Sequence, residues 1–299
     1  MYMAGETGGV SMQANRSIRK IITVGARTEG AGLPVRGPFP GTQLSDVDPF
    51  LLLDEVGPIV YGPGEAIGAP PHPHRGFETV TYVLEGEIEH RDSMGNHGTL
   101  GPGDVQWMTA GAGVLHSEMP TSAFLANGGT AHAFQLWVNL PADKKWVEPR
   151  YQEIPRERVP VVQTADGLAE GRVIAGSGLG VDAQVETHTP VTLHHWTLRP
   201  EAVLELEVPA NQSVWIYVFE GDLVTADEAV SEGQMVLYGP GDRLVIGGPR
   251  ESGRTQFLLG AGTPIREPIA RMGPFVMNTQ KELFEAFRDY QANRLGQIA

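Results

Sequence analysis

Cysteine is missing from all 299 residues. That excludes disulfides, thiolate nucleophiles, thiolate-bound zinc and iron–sulfur clusters, so any metal must be held by nitrogen and oxygen. No run of about 18 apolar residues occurs, so no transmembrane helix is expected. Positive charge is scarce: 22 Lys and Arg stand against 36 Asp and Glu, a net charge of -14. This balance argues against binding along a nucleic-acid backbone and favours protein or small-molecule partners. The charged-then-apolar layout of a signal peptide is also lacking, so the expected compartment is the cytoplasm. Residues 1–20 read as a loose, Gly- and polar-rich extension.

The chain is rich in turn formers, with 38 Gly and 23 Pro. Between them lie short β-branched and aromatic runs, such as Thr79–Leu84, Phe134–Val138, Val191–Trp196 and Val214–Phe219. Many short strands separated by turns indicate sandwiches or barrels, and no βαβ alternation is seen. Two landmarks recur. Tyr82-Val83-Leu84-Glu85-Gly86 resembles Tyr217-Val218-Phe219-Glu220-Gly221, and Gly101-Pro102-Gly103-Asp104 returns as Gly239-Pro240-Gly241-Asp242. The expectation is an all-β chain with a duplicated domain: residues 21–146, a linker at 147–160 that is charged and broken by proline, and residues 161–299. Gly176–Gly180 lacks dinucleotide-loop spacing and reads as a turn. One helix is expected near the end. Thr279-Gln280-Lys281-Glu282 forms a capping box, Leu283, Phe284, Phe287 and Tyr290 supply an apolar face, and Gly296 closes it.

Two groupings among the nine histidines carry chemistry. His72 and His74 lie two apart, as do His116 and Glu118. In extended chain, residues i and i+2 share a face, so each pair projects together. Three imidazoles and one carboxylate make a metal site with open positions, suited to Fe(II), Mn(II), Ni(II) or Co(II) better than to closed tetrahedral zinc. At an offset of 135 residues, His72 and His74 fall on Glu207 and Pro209, and no histidine follows His195, so the second repeat is expected to bind no metal this way. His194 and His195 are adjacent on a strand, point to opposite faces and read as structural. His90, His97, His132 and His188 read as solvated surface positions. Phe77, Trp107 and Met108 are apolar neighbours of the site, read as barrel core first and as pocket lining second.

The run Pro71-His72-Pro73-His74-Arg75-Gly76-Phe77-Glu78-Thr79-Val80-Thr81-Tyr82-Val83-Leu84-Glu85-Gly86, with Gly103–Gly111 and His116-Ser117-Glu118, closely resembles the pirin family of bicupins. The resemblance is strongest over about residues 35–140. It implies two tandem cupin (jelly-roll) barrels with a C-terminal helix, and one metal at His72, His74, His116 and Glu118 in the first barrel. Glu78 stands where the general cupin motif has a glutamate and is not assigned to metal. Iron is the first choice by resemblance; manganese, nickel, cobalt, copper and zinc are alternatives. The activity implied is cleavage of a flavonol or related enol or phenol by dioxygen, of the quercetin 2,3-dioxygenase type, with Glu118 both ligand and base. The alternative is a metal-dependent, redox-sensing regulator that binds a transcription factor or metabolic enzyme without turnover. A monomer is expected.

Overall fold

The computed structural model describes residues 14–29, 32–249 and 253–298. Short β-forming runs between glycine and proline turns give antiparallel sheets throughout. In the first half a seven-stranded sheet runs in the order Arg150–Ile154, Val105–Thr109, Phe77–Glu85, Gly129–Asn139, Phe50–Tyr61, Leu33–Phe39, Ala26–Glu29. A four-stranded sheet of Ala69–His74, Val114–Pro120, Ile88–Asp92 and His97–Leu100 completes the barrel. The second half repeats the plan. Its seven-stranded sheet is centred on Ser213–Glu220 and Thr255–Gly262, and its four-stranded sheet is Val203–Glu207, Arg243–Gly247, Asp222–Thr225 and Glu228–Ser231.

The duplication is real, but only one of its two sequence landmarks is structurally equivalent. Tyr82 and Tyr217 occupy the same place in matching central strands. The two Gly-Pro-Gly-Asp copies do not match. The first precedes the strand Val105–Thr109, whereas the second follows the strand Gln234–Tyr238. The true counterpart of Gly103 is Gly233: Gly103 N donates to Val83 O at 2.8 Å, and Gly233 N to Val218 O at 2.8 Å. Both glycines have positive φ, +90° and +75°, which the turn requires.

The central strands are buried on both faces. Val80 and Tyr82 on one strand, with Trp215, Tyr217 and Phe219 on the other, form the core between the two large sheets. Each matching tyrosine crosses that interface. Tyr82 OH bonds His195 Nδ1 at 2.8 Å, and Tyr217 OH donates to Glu55 Oε2 at 2.6 Å. The opposite faces diverge. Val214, Ile216 and Val218 fill the second barrel with hydrocarbon, together with Trp196, Leu204, Leu206 and Leu244. Thr79 and Thr81 hold the places of Val214 and Ile216 in the first barrel, which is where the cavity described below lies.

Described segments near both ends pack across onto the other half. Ile18–Thr23 is a strand rather than part of a loose extension. It pairs with Gln234–Tyr238 at the edge of the second large sheet, Ile21 opposite Val236. Ile22 is buried in the shared core, and Arg16 Nη1 donates to Gly239 O at 2.9 Å. Residues 1–13 of that extension lie outside the described residues. Within the expected linker, Arg150–Ile154 pairs with Val105–Thr109 and extends the first large sheet. The hairpin Ala270–Met272/Phe275–Met277 and the helix Gln280–Gln291 return to the first barrel, where Val276 N donates to Arg75 O at 3.1 Å. The capping box of Thr279 and Glu282 is complete. The buried helix face is Leu283 and Ala286 with Phe287 beside them, because their apolar surface meets Phe275. Phe284 instead faces outward, Tyr290 lies at the edge of the packed face with its ring 6.4 Å from that of Phe275, and the helix is capped at Ala292, ahead of Gly296. Among the described residues no helix is long and apolar enough to cross a membrane.

His195 gives the interface a pH dependence. Burial, only partly offset by the bond to Gln256, lowers its pKa from 6.5 to about 4. A histidine depressed in the fold binds its proton first in the unfolded chain, so its stabilising effect is full above pH 6.5 and is lost as pH falls toward 4. Urea melts at pH 7 and pH 5 should show wild type losing about 2 kcal/mol more than His195→Gln over that interval.

Candidate metal centre

Strand parity builds the site. In the antiparallel pair of Ala69–His74 and Val114–Pro120, His116 lies opposite His72 and Val114 opposite His74. His72, His74 and His116 therefore share the barrel's inner face. Their ring centroids are 4.4–4.9 Å apart, and one ligand atom from each lies within 4.8 Å of the others. No other metal-capable group of three or more such side chains is found among the described residues.

The rings are prepared as ligands. His72 Nδ1–H donates to Pro70 O at 2.8 Å, and His74 Nδ1–H donates to Pro274 O at 3.3 Å. Each bond puts the proton on Nδ1 and leaves the Nε2 lone pair free. Both nitrogens of His116 are buried with no partner among the described residues. An unpartnered, deeply buried imidazole demands an explanation, and a metal supplies one. Burial first, and the neighbouring imidazoles second, hold His74 and His116 well below their ordinary pKa, so both are neutral. The donor set thus fits a divalent transition metal.

Glu118 stands beside this group rather than inside it. A register shift falls between His116 and Glu118 where their strand pairs with Ala69–His74. Glu118 Oε1 accepts from Thr81 Oγ1 at 2.7 Å, which ties the small sheet to the central strand of the large one. Glu78 is fully buried, accepts from Thr109 Oγ1 at 2.8 Å, and takes no part in the histidine group.

His72 and His74 open onto a cavity of about 850 Å³, within the range of small-molecule sites. His72, His74, Glu118, Thr81, Gln135 and Trp137 lie on its wall, with Leu52, Ile67 and Phe134 among the apolar residues. Phe77, Trp107 and Met108 do not line it. All three are fully buried: Trp107 in the shared core, Met108 against Val114, and Phe77 stacked on Trp137 at 4.2 Å. Asp54, also on the wall, has its carboxyl pushed up to about 7 by burial, partly offset by Arg27. Sequence reasoning missed Thr81, Gln135 and Trp137. Their inward parity on strands Phe77–Glu85 and Gly129–Asn139 was the available signal.

Two of the remaining histidines are not surface residues. His90 is fully buried, with Nε2 on Glu153, and His132 is buried, with Nε2 2.9 Å from Glu55 Oε1. Glu55 is itself fully buried and also takes two bonds from Arg36, each 2.9 Å. In the second barrel the strand pair matching the histidine strands carries Leu204 and Leu206 opposite Ile246 and Leu244. The leucines, not Glu207 or Pro209, hold the inward positions, so hydrocarbon fills the space that the imidazoles occupy in the first barrel.

The sequence matches the pirin family over residues 32–138 and the pirin C-terminal cupin domain over residues 193–296. The chain belongs to the pirin family. This pirin is 38% identical to human pirin, across 95% of its own length and 96% of that protein. A quercetin 2,3-dioxygenase from Acinetobacter baumannii has the same fold at a TM-score of 0.89 and 35% identity, covering 96% of this pirin and 100% of that chain. A bacterial pirin from Escherichia coli, crystallised with nickel(II), shares the fold at a TM-score of 0.64 and 23% identity, covering 81% of this pirin and 96% of that chain.

Proposed function

We propose that this pirin holds one divalent transition metal at His72, His74 and His116, with Glu118 as fourth ligand, and uses it to cleave a flavonol or related enol or phenol with dioxygen. Iron is the first choice of ion. The observation that carries the proposal is the convergence of three imidazoles, two of them on the wall of an 850 Å³ cavity with apolar residues around it. The likeness to the Acinetobacter baumannii quercetin 2,3-dioxygenase supports the substrate class.

When bound, the metal supplies acidity to a coordinated hydroxyl and a meeting point for substrate and dioxygen. The chain's own residues do the rest. Pro70 O and Pro274 O keep the protons of His72 and His74 on Nδ1. Thr81 Oγ1–H donates to Glu118 Oε1 and so fixes the carboxylate proposed both as fourth ligand and as the base for the substrate's hydroxyl proton. Leu52, Ile67, Phe134 and Trp137 exclude water and match an aromatic ring system in character.

The test is reconstitution without oxygen, using Fe(II), Mn(II), Ni(II) or Co(II) in turn, followed by quercetin and oxygen. The expected result is loss of the flavonol with release of carbon monoxide for at least one ion. Bound metal without turnover for any of the four would overturn the enzymatic assignment and favour a metal-dependent regulatory protein.

A further inference from the structure

We propose that the C-terminal segment from Ala270 to Leu295 is a positioning strap for the ligand His74, and that Lys145 and Asp289 fasten it. The inference rests on the metal assignment above and extends it to the far end of the chain. His72 finds its orienting acceptor locally, at Pro70 O. His74 does not: its acceptor, Pro274 O, is 200 positions away. An imidazole without that acceptor can turn, or carry its proton on Nε2, where the ligand lone pair is needed.

The place of Pro274 is set by contacts to the two residues that follow His74. Val276 N donates to Arg75 O at 3.1 Å. Gly76, at φ +90°, lets the strap approach so closely that a Cβ there would lie 2.0 Å from Val276 O. Lys145 is 1% exposed, and its Nζ donates to Gly76 O at 2.8 Å, Val276 O at 3.0 Å and Asn139 Oδ1 at 2.8 Å. The three N–H groups of one ammonium thus tie the turn after His74 to the strap. At the helix, Asp289 Oδ2 accepts from Arg75 Nη1 at 2.9 Å, while Arg75 Nε donates to Ala112 O at 2.6 Å. Beyond the helix, Ser93 Oγ donates to Leu295 O at 2.7 Å, and Phe275, Met277, Leu283 and Ala286 pack as a separate apolar anchor. The strap also walls the cavity through Arg271, Gly273 and Pro274.

Two full-length variants test this. Lys145→Met keeps length and burial and removes three donors; Asp289→Ala frees Arg75 at an outer position. Each is stripped of metal, checked for fold by far-UV circular dichroism, and titrated with Co(II) alone against a chelator while the visible ligand-field bands are recorded. Both are expected to bind Co(II) at least about tenfold more weakly than wild type, with altered bands. Folded variants with wild-type affinity and bands, even if the metal-free protein melts lower, would show a purely structural tie and overturn the strap. If one variant does not fold, the other decides. If wild type takes up no Co(II), the metal assignment itself fails, and the strap fails with it.

Discussion

The double variant His72→Ala/His74→Ala is expected to purify folded, with metal content below about a tenth of wild type and flavonol turnover at the metal-free background. Losing a single partner behind a metal ligand typically costs about 10–100-fold in affinity. Losing two of three imidazoles outright leaves only His116 and Glu118, and that cost is larger. The fold is spared for a positional reason. Neither residue belongs to the shared core or to the filled second barrel, and alanine keeps the backbone pairing of Ala69–His74 with Val114–Pro120. The metal-free melting temperature should therefore stay within a few degrees of wild type. The response to metal should not. A ligand at one hundred times its dissociation constant stabilises the fold by about 2.7 kcal/mol, so wild type should gain several degrees and the variant none. Elemental analysis with paired melts reads both effects, and retained metal in the folded variant would overturn the site.

The histidine cluster was legible because strand parity is a local rule: two residues apart means the same face, whatever the rest of the chain does. The same rule places Thr81 and Gln135, but threonine and glutamine carry no chemical flag of their own. Glu118 obeys it less cleanly, since the register shift after His116 cannot be seen in a sequence. The Gly-Pro-Gly-Asp repeat misled for the opposite reason. That tetrapeptide makes a tight turn wherever one is needed, so its recurrence reports a common solution to a local problem rather than a shared position. What stayed hidden is long-range. His90 and His132 look like surface residues until Glu153 and Glu55, 63 and 77 positions away, are brought to them. The crossed termini belong to the same class. A short run such as Ile18-Arg19-Lys20-Ile21-Ile22 satisfies its apolar face only against a strand that begins at Gln234.

That interlocking sets the second large effect, at Trp215. Trp215→Ala is expected to destabilise the protein by about 3–5 kcal/mol. The indole is fully buried between the two large sheets, and its neighbours come from the other half of the chain: Phe50 and Phe39 meet its ring edge-on at 5.4 and 6.0 Å. Gly260 backs it so closely that a Cβ there would lie 2.2 Å from the ring, so no side chain is at hand to fill the hole. Trp215 Nε1 has no acceptor among the described residues, so the loss is one of packing and not of a hydrogen bond. Sheets paired on both sides collapse poorly into a cavity, which favours the upper part of the range. The melting temperature should drop by roughly 10 °C. The form of the transition is as informative as its midpoint. Because Tyr82 bonds His195 and Tyr217 bonds Glu55, each half contributes a buried partner to the other, and Ile18–Thr23 and the C-terminal strap bind the halves again at their ends. Wild type and variant should each melt in a single transition, and metal release on heating should follow the same curve although Trp215 lies outside the cavity wall. Two resolved transitions, with only the metal-free half shifted by the substitution, would mean that the shared core does not couple the barrels.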